Sequence, residues 1–396
     1  MEAQSAVDAA VSRWVLPTSL FLGTFAWSFT FVSLPFYVER LSTLDAAATL
    51  RWSGWILGIT PLVTVTTAPL WGRLAVHASP KRLYVAVEVL QGLGFFGMAL
   101  APTLPELLLA RMLLGITGAA STFAFIIVGR AGGDVRRDVS AIQSGMTVGQ
   151  VLGPLAGAVV AARVGFQPSF VIGGLILWGC ALLVGLAVPA PATREPSDRR
   201  SGRASLRDLA TVCLLVLAGS TQIFFLPAIL PQILPPLGVA PADTLEAGGL
   251  IIFATGVAAA LGAFAAPRLG DVLGDQRSVT WLLGGSSVFL AALALAPEVW
   301  SFGALRFVHV LAVAPVFPLA VAAIAPRASG EAIGFVNSSR IGAAFVGPVL
   351  ATTLLAWGRP SLVYITLAGV GLALLPLLRR GSARYPSGSA SGGSPT

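Results

Sequence analysis

Long apolar stretches separated by short polar connectors run through almost the whole chain. A helix crossing about 30 Å of hydrocarbon needs roughly 20 residues at 1.5 Å each. Twelve stretches of that length are predicted, at 15–38, 51–71, 82–101, 105–129, 139–162, 167–189, 208–234, 245–267, 278–296, 299–325, 331–356 and 360–378. The connector at 190–207, PAPATREPSDRRSGRASL, is longer, basic and rich in Pro and Ser, as a flexible linker would be. It divides the chain into two six-helix halves, 15–189 and 208–379, flanked by a polar segment at 1–14 and a Gly/Ser-rich tail at 380–396 expected to be disordered. The pattern predicts an all-α polytopic membrane protein, twelve transmembrane helices in two pseudo-symmetric six-helix bundles.

Composition excludes the soluble alternatives. Of 396 residues, 56% are hydrophobic and 11% charged, less than half the charge of an average soluble protein. Mean hydropathy is +0.84. Soluble enzymes and DNA-binding domains cannot be surfaced from that stock. A net charge of +8 does not imply nucleic acid, because the basic residues cluster in alternate loops. With the N-terminus inside, only Arg40, Arg51, Arg163 and Arg359 fall in outer loops, while Arg111, Arg306 and Arg340 lie within spans. Lys81, Arg82, Arg136, Arg137, Arg199, Arg200, Arg379 and Arg380 are then cytoplasmic, with both termini, and the expected location is the inner membrane. The first apolar stretch is too long for a signal-peptide core and reads as a retained span. Cys180 and Cys213 lack metal-ligand or disulfide spacing. No GxxxxGK[ST] motif is present to bind ATP. No metal, cofactor or enzymatic activity is expected, and a monomer is.

An internal repeat emerges by subtraction. Arg111 and Arg306 are 195 residues apart, as are Leu74 and Leu269, and Arg82 and Arg277; Gly153-Pro154 recurs as Gly347-Pro348 at an offset of 194. Agreement at separate places indicates two parallel six-helix repeats about an axis along the membrane normal, with a substrate site between them.

Three local motifs lie in this frame. The loop after the second span reads Gly72-Arg-Leu-Ala-Val-His-Ala-Ser-Pro-Lys81-Arg82, and the corresponding loop after the eighth carries Asp271, Gly274 and Arg277. The fourth span carries Arg111 followed by Gly115 and Gly118, small residues that permit close helix approach. The fifth carries Gly149-Gln-Val-Leu-Gly153-Pro154-Leu-Ala-Gly157, where glycines allow contact and proline removes a backbone hydrogen bond. Together with the two-half layout, these residues resemble the major facilitator superfamily, most closely its drug/proton antiporter branch, over about residues 15–380.

The resemblance implies a secondary active transporter. In the first motif Val76 and Ser79 replace the family's aspartate and second glycine, so the conformational latch is expected at Asp271 against the start of the fifth span, around Val139 to Ala141. The arginine of the second motif is linked in the family to proton coupling. The third motif resembles that of exporters.

Polar groups inside spans are costly and mark cavities or partners. A central substrate cavity is expected from Trp27, Gln143, Gln222, His309, Asn337 and Arg340. Coupling candidates are Arg111, Arg306, His309 and Glu88, the clearly embedded acid. The preferred reading is export of small amphipathic or anionic organic compounds by alternating access in exchange for protons. Uptake, lipid translocation by the same fold, and a non-transporting receptor or scaffold remain as alternatives.

Overall fold

A computed structural model describes residues 2–131, 135–188, 205–324 and 330–382. Twelve helical segments are long and apolar enough to cross a membrane: spans 1 (Trp14–Leu41), 2 (Ala46–His77), 3 (Pro80–Leu100), 4 (Leu104–Gly129), 5 (Arg137–Val164), 6 (Phe166–Ala187), 7 (Leu206–Ile233), 8 (Thr244–Leu273), 9 (Asp275–Leu295), 10 (Val299–Ile324), 11 (Gly334–Trp357) and 12 (Pro360–Leu377). No strand occurs among the described residues. The chain has the predicted all-α, twelve-span architecture.

Boundaries shift where capping chemistry overrides hydropathy. Span 2 begins at Ala46 because the Asp45 carboxylate accepts from the backbone N–H of Ala48 at 2.8 Å, so Arg51 lies inside the helix rather than in a loop. The segment expected as a separate N-terminus continues the first helix, which runs Glu2–Leu41, in keeping with its alanine-rich sequence. Most of the linker at 190–207 and residues 383–396 of the tail lie outside the described residues, as do the side chains of Arg136, Arg199, Arg200, Arg379 and Arg380.

Three spans are interrupted. Span 4 breaks at Thr117–Ala119, span 10 at Ala314-Pro315, and span 7 leaves α-helix at Phe224 for a 3-10 turn at Leu226–Ile229. Each break frees carbonyls that hydrocarbon cannot satisfy, and this requirement organises the polar interior.

Span 5 packs along span 1 through glycines spaced four apart. A Cβ on Gly145 would lie 2.6 Å from Pro17 O, on Gly149 2.5 Å from Phe21 O, on Gly153 2.6 Å from Phe25 O, and on Gly157 2.5 Å from the Phe29 Cα. The third motif is therefore a seam that admits no side chain. At the repeat-related position of span 11, Gly347 abuts the backbone of Phe225 in span 7 at 3.0 Å, between buried Ala343 and Ala351.

Candidate functional site

Close contacts between the two halves cluster toward one end among the described residues. Gly58 of span 2 lies against the Phe345 ring of span 11, with a hypothetical Cβ 2.9 Å away, and Trp55 packs on Phe345 at 5.6 Å between ring centroids. Gly54 abuts Thr352 and Pro348 one turn further out. Span 8 meets span 5 similarly, Gly249 against Ala158 and Gly256 against Val151. Arg163 and Glu246 add an exposed ion pair at 3.6 Å, of small energetic value. All these contacts lie toward the end holding the connectors of spans 1–2, 5–6 and 7–8.

Toward the other end, which carries most of the basic loops, the same helices expose their faces. Ser140, Gln143, Ser144, Thr147 and Val148 of span 5 line a cleft of about 440 Å³. On span 11, Gly334, Phe335 and Asn337 are exposed. The described cleft thus lies on the basic-end part of span 5, while the close glycine contacts between the halves lie toward the opposite end.

Arg340 lies about 7.5 Å along span 11 from Phe345 and on a different face of the helix, about 140° around it. It is partly exposed, and its guanidinium carbon sits 4.9 Å from the Phe317 ring centroid of span 10. Among the described residues it has no hydrogen-bond or ion-pair partner. Of the six residues expected around the cavity, Gln143, Asn337 and Arg340 lie on spans 5 and 11, and Gln143 lines this cleft.

The other three do not. Gln222 and His309 are 1% and 0% exposed, inside the second bundle. Arg306 Nη1 donates to Gln222 O at 2.7 Å and lies 2.9 Å from His309 Nδ1. Since a guanidinium only donates, Nδ1 accepts and Nε2 carries the hydrogen, facing Gln222 Oε1 at 3.3 Å. The Gln222 amide also accepts from Ser286 at 3.2 Å and donates to Ser287 at 3.0 Å. These side chains knit spans 7, 9 and 10 together. Trp27 belongs to the matching network of the first bundle. Its indole N–H donates to Gln91 Oε1 at 2.5 Å, while Gln91 Nε2 donates to Thr117 O, freed at the break of span 4, at 2.7 Å. Gln91 and Ser286 are 195 residues apart, and neither was singled out from the sequence.

Arg111 and Arg306 have closely similar tasks. Arg306 Nη2 donates to Ile223 O at 2.7 Å, and Arg111 Nη2 to Leu57 O at 3.3 Å. Four residues beyond each carbonyl stands a proline, Pro227 and Pro61, which has no N–H to offer. Each arginine replaces that missing donor. The repeat is imperfect, since Arg111 reaches into span 2 and Arg306 into span 7.

Glu88 is 2% exposed, close to Gly23 of span 1 and hydrogen-bonded to Tyr84, with Oε2 unpartnered. Tyr84 in turn meets Ser19 at 2.9 Å. This acid lies inside the first bundle, among spans 1, 3 and 6. At the basic end, Gly72 has open space around it, Arg82, Asp271 and Arg277 are exposed, Lys81 is partly exposed, and Gly274 turns the chain between spans 8 and 9 at φ 79°. Asp271 has no ion-pair partner among the described residues.

Twelve apolar helices in two pseudo-symmetric six-span bundles are the architecture of a polytopic membrane transporter. The sequence profile of the Major Facilitator Superfamily matches residues 16–240, and the chain belongs to that superfamily. It is 28% identical over 332 residues to an uncharacterized MFS-type transporter, YuxJ, of Bacillus subtilis, covering 81% of this chain and 84% of that one. It is 27% identical to the multidrug resistance protein MdtG of Citrobacter koseri, covering 89% and 90%. The crystal structure of a D323A mutant of the nucleoside transporter NupG superposes with a TM-score of 0.77 at 14% identity, covering 93% and 99%, a likeness of fold.

Proposed function

We propose that this transporter exports small amphipathic or anionic organic compounds across the inner membrane by alternating access, in exchange for protons. The observation that carries the reading is the polar cleft on span 5, lined by Ser140, Gln143, Ser144, Thr147 and Val148, toward the basic end. The positive-inside rule assigns the basic end to the cytoplasm. Both termini are then cytoplasmic, and the cleft faces the inside in this conformation. The names of the MdtG relatives and the glycine-proline motif of span 5 support the multidrug-efflux class.

Coupling falls to Glu88, an acid with one unpartnered oxygen in a buried setting where holding a proton is chemically useful. Arg111 holds the backbone of the first bundle and Arg306 with His309 that of the second, and transport proceeds through a monomer. The test is dye accumulation in bacteria lacking their own efflux pumps. Expression of this chain should lower steady-state accumulation of amphipathic dyes, and a protonophore should restore it. Equal accumulation with and without the protein across a broad dye panel would refute the export reading.

A further inference from the structure

Two repeat-related connectors at the basic end differ in charge. The connector of spans 2 and 3 carries Arg73, His77, Lys81 and Arg82, and no acid occurs in the sequence between Asp45 and Glu88. At the offset of 195, the connector of spans 8 and 9 repeats Arg73 as Arg268 and Arg82 as Arg277, but puts Asp271 where Val76 stands, Asp275 where Pro80 stands and the neutral Gln276 where Lys81 stands. Three fixed positive charges are therefore uncompensated on the first half. On the second half, two positive and two negative charges cancel.

Helix geometry turns the first set away from its bundle. Arg73, His77 and Arg82 are exposed and Lys81 is partly exposed, and none of the four has an ion-pair or hydrogen-bond partner among the described residues. At about 100° per residue, Leu70, Arg73, Leu74 and His77 fall within a single arc of span 2. The arc is centred opposite Ala75, which is 2% exposed in the core of the first bundle. Leu70 and Leu74, within it, are 60% and 43% exposed. On span 3, Arg82 heads an exposed stripe with Ala86, Val89 and Leu93, across the helix from the buried Tyr84, Val87, Glu88 and Gln91.

Apolar side chains on the outer face of a membrane bundle meet acyl chains, and cations one helical turn beyond them reach the headgroups. Each Lys or Arg so placed favours an anionic headgroup over a neutral one. We propose that the connector of spans 2 and 3 docks an anionic phospholipid of the leaflet at the basic end, its headgroup among Arg73, Lys81 and Arg82 and its chains along the exposed apolar faces of the two helices, and that the matching connector of spans 8 and 9 does not. The first half is thereby anchored to charged lipid and the second is not. This goes beyond the transport reading and stands or falls without it.

The test is native mass spectrometry of the full chain in detergent, titrated with dioleoyl phosphatidylglycerol or dioleoyl phosphatidylcholine, which share their chains and differ in head charge. The anionic lipid should bind about tenfold more tightly. Replacing Arg73→Gln, Lys81→Gln and Arg82→Gln together should remove most of that preference, and Val76→Asp, which brings the acid of the second connector into the first, should weaken it. Arg268→Gln with Arg277→Gln should leave it intact. Equal affinity for the two lipids in the unaltered protein would overturn the proposal with no variant needed. So would an undiminished preference in the triple variant, an equal loss in the Arg268/Arg277 variant, or displacement of the bound lipid by glycerol phosphate, because a headgroup without chains would then suffice.

Discussion

Arg306 Nη2 donates to the carbonyl of Ile223 at 2.7 Å, and Ile223 stands four residues before Pro227. The side chain of span 10 therefore supplies the hydrogen bond that proline withholds within span 7. Lysine keeps the charge but cannot serve Gln222 O, Ile223 O and His309 together. Arg306→Lys is expected to lower stability in detergent by about 1–3 kcal/mol, the cost of leaving buried acceptors unpaired. Pro227→Ala should reduce that loss, with a coupling of about 1 kcal/mol in a double-mutant cycle read by thermal unfolding. Strict additivity would show that the arginine does not replace the missing donor.

The glycine seam gives an equally sharp contrast. Gly153→Leu drives a side chain into Phe25 and Ser28 of span 1, so overpacking should cost about 1–3 kcal/mol and lower the yield of monodisperse protein. Gly72→Ala meets nothing within 4 Å and should unfold at the same temperature as the parent chain. A parental melting curve for Gly153→Leu would mean that spans 1 and 5 are not packed as described.

How much of this was legible in the sequence depends on what each pattern encodes. The spans and the repeat were, because bilayer thickness imposes length and Arg111 and Arg306 keep their separation. Gln143, a polar residue within an apolar helix, was also found, and it lines the cleft. The same criterion put Trp27, Gln222 and His309 at the cavity, where they are not. Hydropathy marks a polar side chain in a span, but not whether it answers a solvent cleft or a broken helix. The missing signal was local: Pro61 and Pro227 each free a carbonyl four residues earlier, and a freed carbonyl in lipid demands a donor. Gln91, Ser286 and Ser287 escaped notice for the same reason, serving the backbone rather than a ligand.

Asp271 is exposed at the basic end and unpaired among the described residues, and we propose that it acts as a latch in the opposite conformation. Asp271→Asn should change stability by less than about 0.5 kcal/mol. It should also raise the rate at which a water-soluble maleimide labels Gln143→Cys in the cleft, by favouring the form open at the basic end. Unchanged labelling kinetics would place the latch elsewhere.

Glu88→Gln keeps the volume and the hydrogen-bonding capacity toward Tyr84 but cannot release a proton. In vesicles it should abolish uphill transport driven by a pH gradient while sparing exchange of labelled for unlabelled substrate, which needs no net proton movement. Persistence of gradient-driven accumulation in this variant would remove Glu88 from the coupling path.

The most direct measurement is flux in proteoliposomes across an imposed pH gradient, with amphipathic dyes and organic anions as test compounds. Alternating access coupled to protons predicts protein-dependent accumulation of at least one compound against its gradient, collapsing when a protonophore is added. Folded, correctly inserted protein that moves none of them, or moves them at the same rate without a gradient, would contradict it.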